Sequence, residues 1–432
     1  MIKPFLRFGY FFIFCFVLAV PEFFGQNADS MQKGQEFERK AVASYREKKF
    51  DDFLNNMLLA DKNRPNHPRL IYNLGAAYAL NGETGKALEQ LKRLARMGLF
   101  FAPEKDEDFQ SLSKTKGFDS LQREFLKNKA VVNQSQKAFS ISEKGLITES
   151  VAYNPADRRF FIGSVHQRKI LAVDEKGGVT DFSRPTDGLW SVLGMRVDQP
   201  RQILWVSTTA FPQMNGFEKD LEGRSGIFKY DLKTGKLIKK YLIEDRTRKH
   251  AIGDLVVNKR GDVFATDSIA PIIYRIEPAD DELKVFLQTE DFSSLQGLAL
   301  TPDEKTLFVA DYSKGIFRLG LENKSLTQIQ PARNLTLLGI DGLYLYRGDL
   351  IAIQNGVNPQ RVVRFQLNGA KTRIKGFKTL EANHPDFLEP TLGTIVGNEF
   401  FYIANSQWPL VNEKAELKTE DLREPVILKL NL

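Results

Sequence analysis

The chain reads as a multidomain protein: an α-helical pair followed by an all-β propeller of six blades. Three observations predict this. A hairpin pattern recurs from residue 146 onward, residues 33 to 130 carry apolar side chains at helical spacing, and a short apolar stretch with basic residues precedes both. At 432 residues the chain is too long for one small core. Its 42% hydrophobic and 27% charged residues are ordinary for a globular protein. Thirty-three Phe against six Met favour pleated surfaces. The net charge of +7 is scattered, with no run of five basic residues, which argues against a nucleic-acid partner.

Residues 1–26 read as a signal peptide. Lys3 and Arg7 form a positive start, "GYFFIFCFVLAV" follows, and Gly25 or Ala28 marks a cleavage point. The apolar stretch is short for a stable span, and no later stretch is apolar enough, so no membrane span is expected after cleavage. The protein is expected to be exported, to a periplasmic or extracellular location. Cys15 is the only cysteine and lies inside this segment. The mature chain then has no thiol, which excludes disulfides, cysteine-metal sites and a cysteine nucleophile.

Residues 33–130 are rich in Ala, Leu, Lys and Glu. Two stretches align with Ala41 on Gly75, Phe50 on Thr84, Phe53 on Ala87 and Met57 on Leu91, the period of a helix-turn-helix repeat. The second copy, "NLGAAYALNGETGKALEQL", resembles a tetratricopeptide repeat: Gly75 and Ala87 are the small residues between the helices, and Tyr78 fills the space beside them. "DEDFQSLSKTKGFDSLQ" resembles the helical segment that closes such arrays. The resemblance implies a possible protein partner on the helical surface, with a packing cap as the alternative. Residues 128–145 are polar, lack helical period and read as a connector.

The propeller, residues 146–432, is read from six hairpins. They are "TESVAYNPADRRFFIGS", "LGMRVDQPRQILWVST", "GDLVVNKRGDVFATDS", "LQGLALTPDEKTLFVAD", "DGLYLYRGDLIAIQN" and "LGTIVGNEFFYIANS". Asn154-Pro155, Pro302-Asp303, Arg260-Gly261 and Gly397-Asn398 supply the turn conformations that tight hairpins need. A further strand pair follows each hairpin, as in "GIFKYDLKTGKLIKKY", giving four strands per unit. Such a unit cannot bury both faces alone, and stacking around an axis does so.

In that arrangement the first strands line a central channel. Aligned, they place Glu149, Leu193, Gly253, Gln296, Asp341 and Leu392 in one column at one mouth. The next column is Ser150, Gly194, Asp254, Gly297, Gly342 and Gly393, with Gly where backbones crowd the axis. Carboxylates this close repel, so either some are protonated or a cation sits among them. Oxygen ligands favour a hard divalent cation, with Ca2+ preferred over Mg2+ and Zn2+. Glu389, His250, Trp190 and Ser191 precede inner strands at the same height and are the expected substrate contacts. His166 is a weaker candidate. Asn355, Asn405, Gln407 and Trp408 read as lining the opposite part of the channel or capping strands.

"Glu-x-Val-Ala-Tyr" at Glu149, "Asp-Leu-Val-Val-x-x-x-Gly" at Asp254, "x-Gly-Leu-Ala-Leu-Thr-Pro-Asp" at Gln296 and Asp341-Gly342 resemble the SMP-30/gluconolactonase/LRE superfamily. The resemblance implies a six-bladed propeller with a divalent cation in the channel mouth, held by Glu149, Gln296 and Asp341. Gln296 stands where that family has Asn, and Gly253 where it has another Asn. The implied function is a metal-dependent hydrolase of a lactone or related ester, with Asp341 or Asp254 as general base. The alternative is a non-catalytic propeller that binds a small molecule or a protein, with the helices as its docking module. No Gly-x-Ser-x-Gly, phosphate loop, dinucleotide fingerprint or His-Glu-x-x-His occurs, and four His make a three-His zinc site improbable.

Overall fold

A computed structural model describes residues 26–332 and 334–432. The expected signal peptide lies almost wholly outside them. No described helix is long and apolar enough to cross a membrane.

Among the described residues five α-helices come first: α1 (Gln26–Arg46), α2 (Phe50–Asn63), α3 (Pro68–Leu80), α4 (Thr84–Arg96) and α5 (Phe118–Lys129). α1 with α2 and α3 with α4 form two hairpins, and α2 and α4 begin at the aligned residues Phe50 and Thr84. Their facing sides bury Ala41, Met57, Leu70, Leu74 and Leu91 in one core, which Phe109 of the 3-10 turn Glu107–Leu112 joins. Gly75 packs close to Gln90 and Phe109, but an added methyl would lie at ordinary contact distance, 3.5 Å from each. Its small size is therefore tolerant rather than required.

Six four-stranded antiparallel sheets follow, as the recurring hairpin predicts. Five blades are simple meanders, with inner strands Thr148–Asn154, Ser191–Asp198, Ile252–Val257, Leu295–Leu300 and Ile340–Tyr346. The sixth runs Gly393–Val396, Glu399–Ile403, Val426–Asn431, and takes its outer strand, Gln136–Ser140, from the stretch read as a connector. The ring is thus closed by pairing the start of the propeller to its end, which leaves no open blade edge at the junction.

One apolar cluster fills each blade interface. Phe161 and Leu204 belong to the first, Trp205 and Ala265 to the second, Phe264 and Leu307 to the third. Phe308 and Leu350 lie in the fourth, Ile351 and Tyr402 in the fifth, and Ile403 and Ile162 in the closing one. Alternation along each strand sends neighbours such as Leu307 and Phe308 into different interfaces. Residues with both faces covered read as continuous apolar runs, which is the sequence signal seen.

Each of the five meander blades shares one irregularity. Pairing between its first two strands slips within the first few inner-strand residues: at Thr148/Val151, Val192/Met195, Ile252/Leu255, Leu295/Leu298 and Ile340/Leu343. A bulge re-aims side chains and bends the strand. The residues inside it are Glu149-Ser150, Leu193-Gly194, Gly253-Asp254, Gln296-Gly297 and Asp341-Gly342, the two columns read from the sequence. Gly is needed at two of them. A methyl on Gly194 would lie 2.7 Å from the Gly253 carbonyl oxygen, and one on Gly297 2.4 Å from the Leu343 nitrogen.

Candidate functional site

Glu149 and Asp341 lie in the bulges of blades one and five, and each is 8% exposed. Each carboxylate is anchored through one oxygen. The Trp408 indole Nε1 donates to Glu149 Oε2 at 2.7 Å, and Asn355 Nδ2 donates to Asp341 Oδ2 at 2.7 Å. Asn355 also donates to the Pro390 carbonyl at 3.1 Å and accepts from the Tyr312 hydroxyl at 3.1 Å. Blade six meets the same spot, since the Thr391 hydroxyl and the Leu392 amide both donate to the Glu149 carbonyl. Trp408 and Asn355 were expected at the opposite part of the channel; the structure puts both on the acids. For Asn355 the reason is geometric, because the residue just past the second strand sits beside the bulge of its own first strand, whereas Trp408 reaches Glu149 of blade one from the loop after Glu399–Ile403 of blade six. Asn355 follows Asp349–Gln354, and Tyr312 follows Thr306–Asp311.

Burial raises the pKa of Glu149 well above the carboxylate range, and repulsion from Asp341 adds to it. Asp341 is likewise raised, first by burial and then by the nearby Asp254 charge, against the hydrogen bond from Asn355. Glu389 is pushed up to about 8 by burial and by Asp341. The Tyr312 hydroxyl is also raised, by burial and by the charges of Glu389 and Asp341, and stays protonated. Glu389 occupies a left-handed backbone position, φ 66°, braced by a hydrogen bond from the Ser406 amide to its carbonyl. A non-glycine residue held there costs about 1 kcal/mol or more, a strain that concentrates at functional sites.

Gln296 lies in its bulge with its backbone carbonyl accepting from the Thr266 hydroxyl at 2.7 Å and its amide near Ser294. Its side chain is thus one blade from Asp341, at the column position expected of it. Among the described residues no three His, Cys, Asp or Glu side chains stand close enough to hold a metal by themselves. A cation at this mouth would need the amide oxygen as well as the two acids.

Asp254 differs from its column. It is 1% exposed and paired at 3.2 Å with Arg196, whose guanidinium lies over the Tyr344 ring. Arg196 also borders a shallow 210 Å3 depression with Val256, Leu298, Leu345 and Ile395, at the far ends of the inner strands. The Arg196–Asp254 pair thus lies between this depression and the acids, since the Asp254 charge acts on both Glu149 and Asp341. An acid in a buried ion pair is poorly placed as a general base, which corrects the assignment of that role to Asp254. Among the described residues, this is the one ion pair made by Glu149, Asp254, Asp341 and Glu389.

Trp190 and Ser191 are not mouth residues either. Trp190 packs with Ala210 and Met214 beneath the 210–224 loop, with Arg224 over its ring, and Ser191 is 0% exposed. His250 is 1% exposed, and its Nδ1 lies 2.7 Å from Asp267 Oδ2. Asp267 clamps the entry to blade three, accepting from the Ala251 and Ala270 amides, as Asp311 clamps Ser293 and Ser294 in blade four. Both acids, and His250 with them, serve the fold. His166 contacts the Gln213 carbonyl in a loop. Asn405 and Gln407 bridge the Lys144 and Glu424 carbonyls and the Arg423 and Val426 amides, as expected of strand caps.

The mouth has two halves. Asn355, Tyr312 and Glu389 form a polar one beside Asp341. The other is apolar, with Leu193, Phe211, Trp408, Val411 and Leu417 in a single cluster. Phe211 and Trp408 meet edge-on, with centroids 6.4 Å apart.

No protein-family profile matches the chain, and no curated protein matches it. Similar solved structures include a gluconolactonase from Xanthomonas campestris, at 16% identity over 70% of this chain and 91% of that one, with a TM-score of 0.45. A luciferin-regenerating enzyme is similar at 11% identity over 70% and 96%, with a TM-score of 0.48. A virginiamycin B lyase from Staphylococcus aureus is similar at 14% over 67% and 87%, with a TM-score of 0.44. The chain is a six-bladed β-propeller with a helical segment before it. The propeller's own six sheets establish this, and the activities of those proteins remain theirs.

The raised acids make stability depend on pH. Their folded pKa values exceed the unfolded ones, so their contribution is fully present below about pH 4.5 and is lost as pH rises toward about 8. In EDTA, the melting temperature is expected to fall across that window, and Glu389→Gln to flatten the fall. A melting temperature that rises with pH, with no difference between the two proteins, would contradict this assignment.

Proposed function

We propose that the propeller is an exported, divalent-cation-dependent hydrolase of a lactone or related ester, with Ca2+ as the preferred ion. One observation carries this reading: Glu149 and Asp341 are both buried and raised by burial, the Asp341 charge adds to the shift of Glu149, and no basic side chain is paired to either among the described residues. Glu149, Gln296 and Asp341 would hold the cation, and oxygen donors of this kind suit a hard ion. When bound, such an ion polarises a carbonyl and acidifies water.

The chain's own residues supply the rest. Asn355 fixes the carboxylate of Asp341, which accepts a proton from the attacking water. Glu389, whose burial beside Asp341 favours its protonated form, is the residue placed to donate to the departing oxygen. The indole of Trp408 orients Glu149 and joins Leu193 and Phe211 in an apolar wall that excludes water. That wall favours a substrate with an apolar chain next to its ester. A cyclic ester and an open one present the same carbonyl, so both belong in the test.

Hydrolysis of alkyl-substituted lactones and aryl esters should be measured in EDTA and in Ca2+, for the native chain and for Asp341→Asn. Turnover is expected only with the cation, and Asp341→Asn should lower kcat by about 100-fold or more. Equal rates in all four conditions would remove the hydrolase reading. Ca2+-dependent ligand binding without turnover would favour a binding propeller instead.

A further inference from the structure

The helical segment is joined to blade five through a buried arginine. Arg361, in Arg361–Leu367, is 1% exposed. Its Nη1 donates to the Met97 carbonyl at 3.0 Å and to that of Gly98 at 3.3 Å, just past the C-terminal end of α4. Its Nε donates to Gln354 Oε1 at 2.8 Å, its guanidinium lies over the Phe377 ring, and Nη2 has no hydrogen-bond partner. Among the described residues no carboxylate pairs with it. A buried guanidinium without a counter-ion is costly. The negative end of the α4 dipole is what offsets its charge. An apolar residue would fill the same space at lower cost, so the contacts of Arg361 call for a further account.

The contacts beyond it lead to Asp341 by two routes. Gln354 is 0% exposed and donates through Nε2 to the carbonyls of Thr336, at 3.2 Å, and Leu338, at 2.9 Å. These residues lead directly into Ile340-Asp341. The residue after Gln354 is Asn355, which holds the Asp341 carboxylate. The loop from Asn355 to Gln360 then runs back to the helices. The Asn358 carbonyl accepts from the Phe100 amide at 2.8 Å, and Val357 is buried in the helical core. One loop thus has the acid at one end and the helical segment at the other.

We infer that the helical segment is a brace for the channel mouth, and that Arg361 is the positioning residue that transmits it, through Gln354 and Asn355, to Asp341. The cation-binding part of its test rests on the function proposed above; the structural part does not. The helices therefore act on the site from within the chain, whatever else they contact.

The test uses the full mature chain with Arg361→Met, which keeps a long unbranched apolar stem and removes the guanidinium and its hydrogen bonds. Amide hydrogen exchange is measured alongside Ca2+ affinity by calorimetry. Exchange is expected to speed up by about tenfold or more at residues 97–100, 336–343 and 355–358, with blades two and three unchanged. The Kd for Ca2+ is expected to weaken by about tenfold under conditions where the variant remains folded, and Arg361→Lys to recover part of it. Faster exchange confined to 97–100, or spread evenly over all blades, would overturn the inference. So would an unchanged Kd in a chain whose native form binds Ca2+. If the native chain binds no Ca2+, the proposed function fails, and the exchange pattern alone decides the brace. Should Arg361→Met not fold, Gln354→Leu is read at the far end: faster exchange at 97–100 supports the coupling, and native rates there refute it.

Discussion

Glu149→Gln is expected to weaken Ca2+ binding on the order of 100-fold while making the cation-free protein more stable. The two effects have one cause. Glu149 is nearly buried beside Asp341, and burial opposes its charge. Without a cation, burial and the nearby Asp341 charge make its ionised form unfavourable. Gln removes that charge and keeps an oxygen that can accept from the Trp408 indole. The same substitution removes one of the two carboxylates expected to hold the ion, which should weaken Ca2+ binding by on the order of 100-fold. Thermal melts in EDTA and in Ca2+ read both effects. The native chain should gain with Ca2+, by ~2.7 kcal/mol at a hundred times its Kd. Glu149→Gln should melt higher than the native chain in EDTA and gain only ~0.4 kcal/mol at the same Ca2+ concentration. A variant that melts lower in EDTA and still responds to Ca2+ as the native chain does would mean that Glu149 is only a structural acid.

Gly297→Ala is expected to be the most damaging methyl in the propeller. The added carbon would stand 2.4 Å from the Leu343 nitrogen and 2.7 Å from the Asp341 carbonyl oxygen, both backbone atoms of the next blade. Neither can swing aside as a side chain would. Overpacking of this kind costs about 1–3 kcal/mol, occasionally more. Because the displaced strand carries Asp341, Ca2+ affinity should fall with stability. Gly369→Ala is the control, since its methyl would meet nothing within 4 Å. Urea denaturation of the two variants measures the difference. Equal midpoints would show that the inner strands are not packed as closely as the bulges imply.

The architecture was legible because every blade repeats the same local problem. A strand covered on both faces must be apolar, a hairpin needs a turn residue, and a crowded axis needs Gly. All three leave marks in the sequence, and aligning them brought Glu149 and Asp341 into one column. The ring closure was not legible. Gln136–Ser140 is half exposed on the outside of blade six, so it carries no apolar run, and its partner lies almost three hundred residues away. Asn355, read as lining the opposite part of the channel or capping a strand, was misplaced because the bulge in its blade is not visible in the sequence. The bulge register corrects this: Ile340 pairs with Gln354, which puts Asn355 beside Asp341. Arg196 left no signal, because an outward-alternating Arg in an inner strand reads as solvent-facing until a buried Asp254 is set against it. Trp190, Ser191 and His250 were placed by height alone, and height does not separate a mouth residue from one buried beneath a loop.

Everything about the site depends on Glu149, Gln296 and Asp341 enclosing one ion. The most direct measurement is a crystal structure of the mature chain grown with Mn2+ or a lanthanide in place of Ca2+, with anomalous scattering used to find the metal. The account predicts one strong peak within ligand distance of Glu149, Asp341 and the Gln296 amide oxygen, much weaker in Glu149→Gln. A channel mouth with no peak, or a peak that both proteins share elsewhere, would contradict it.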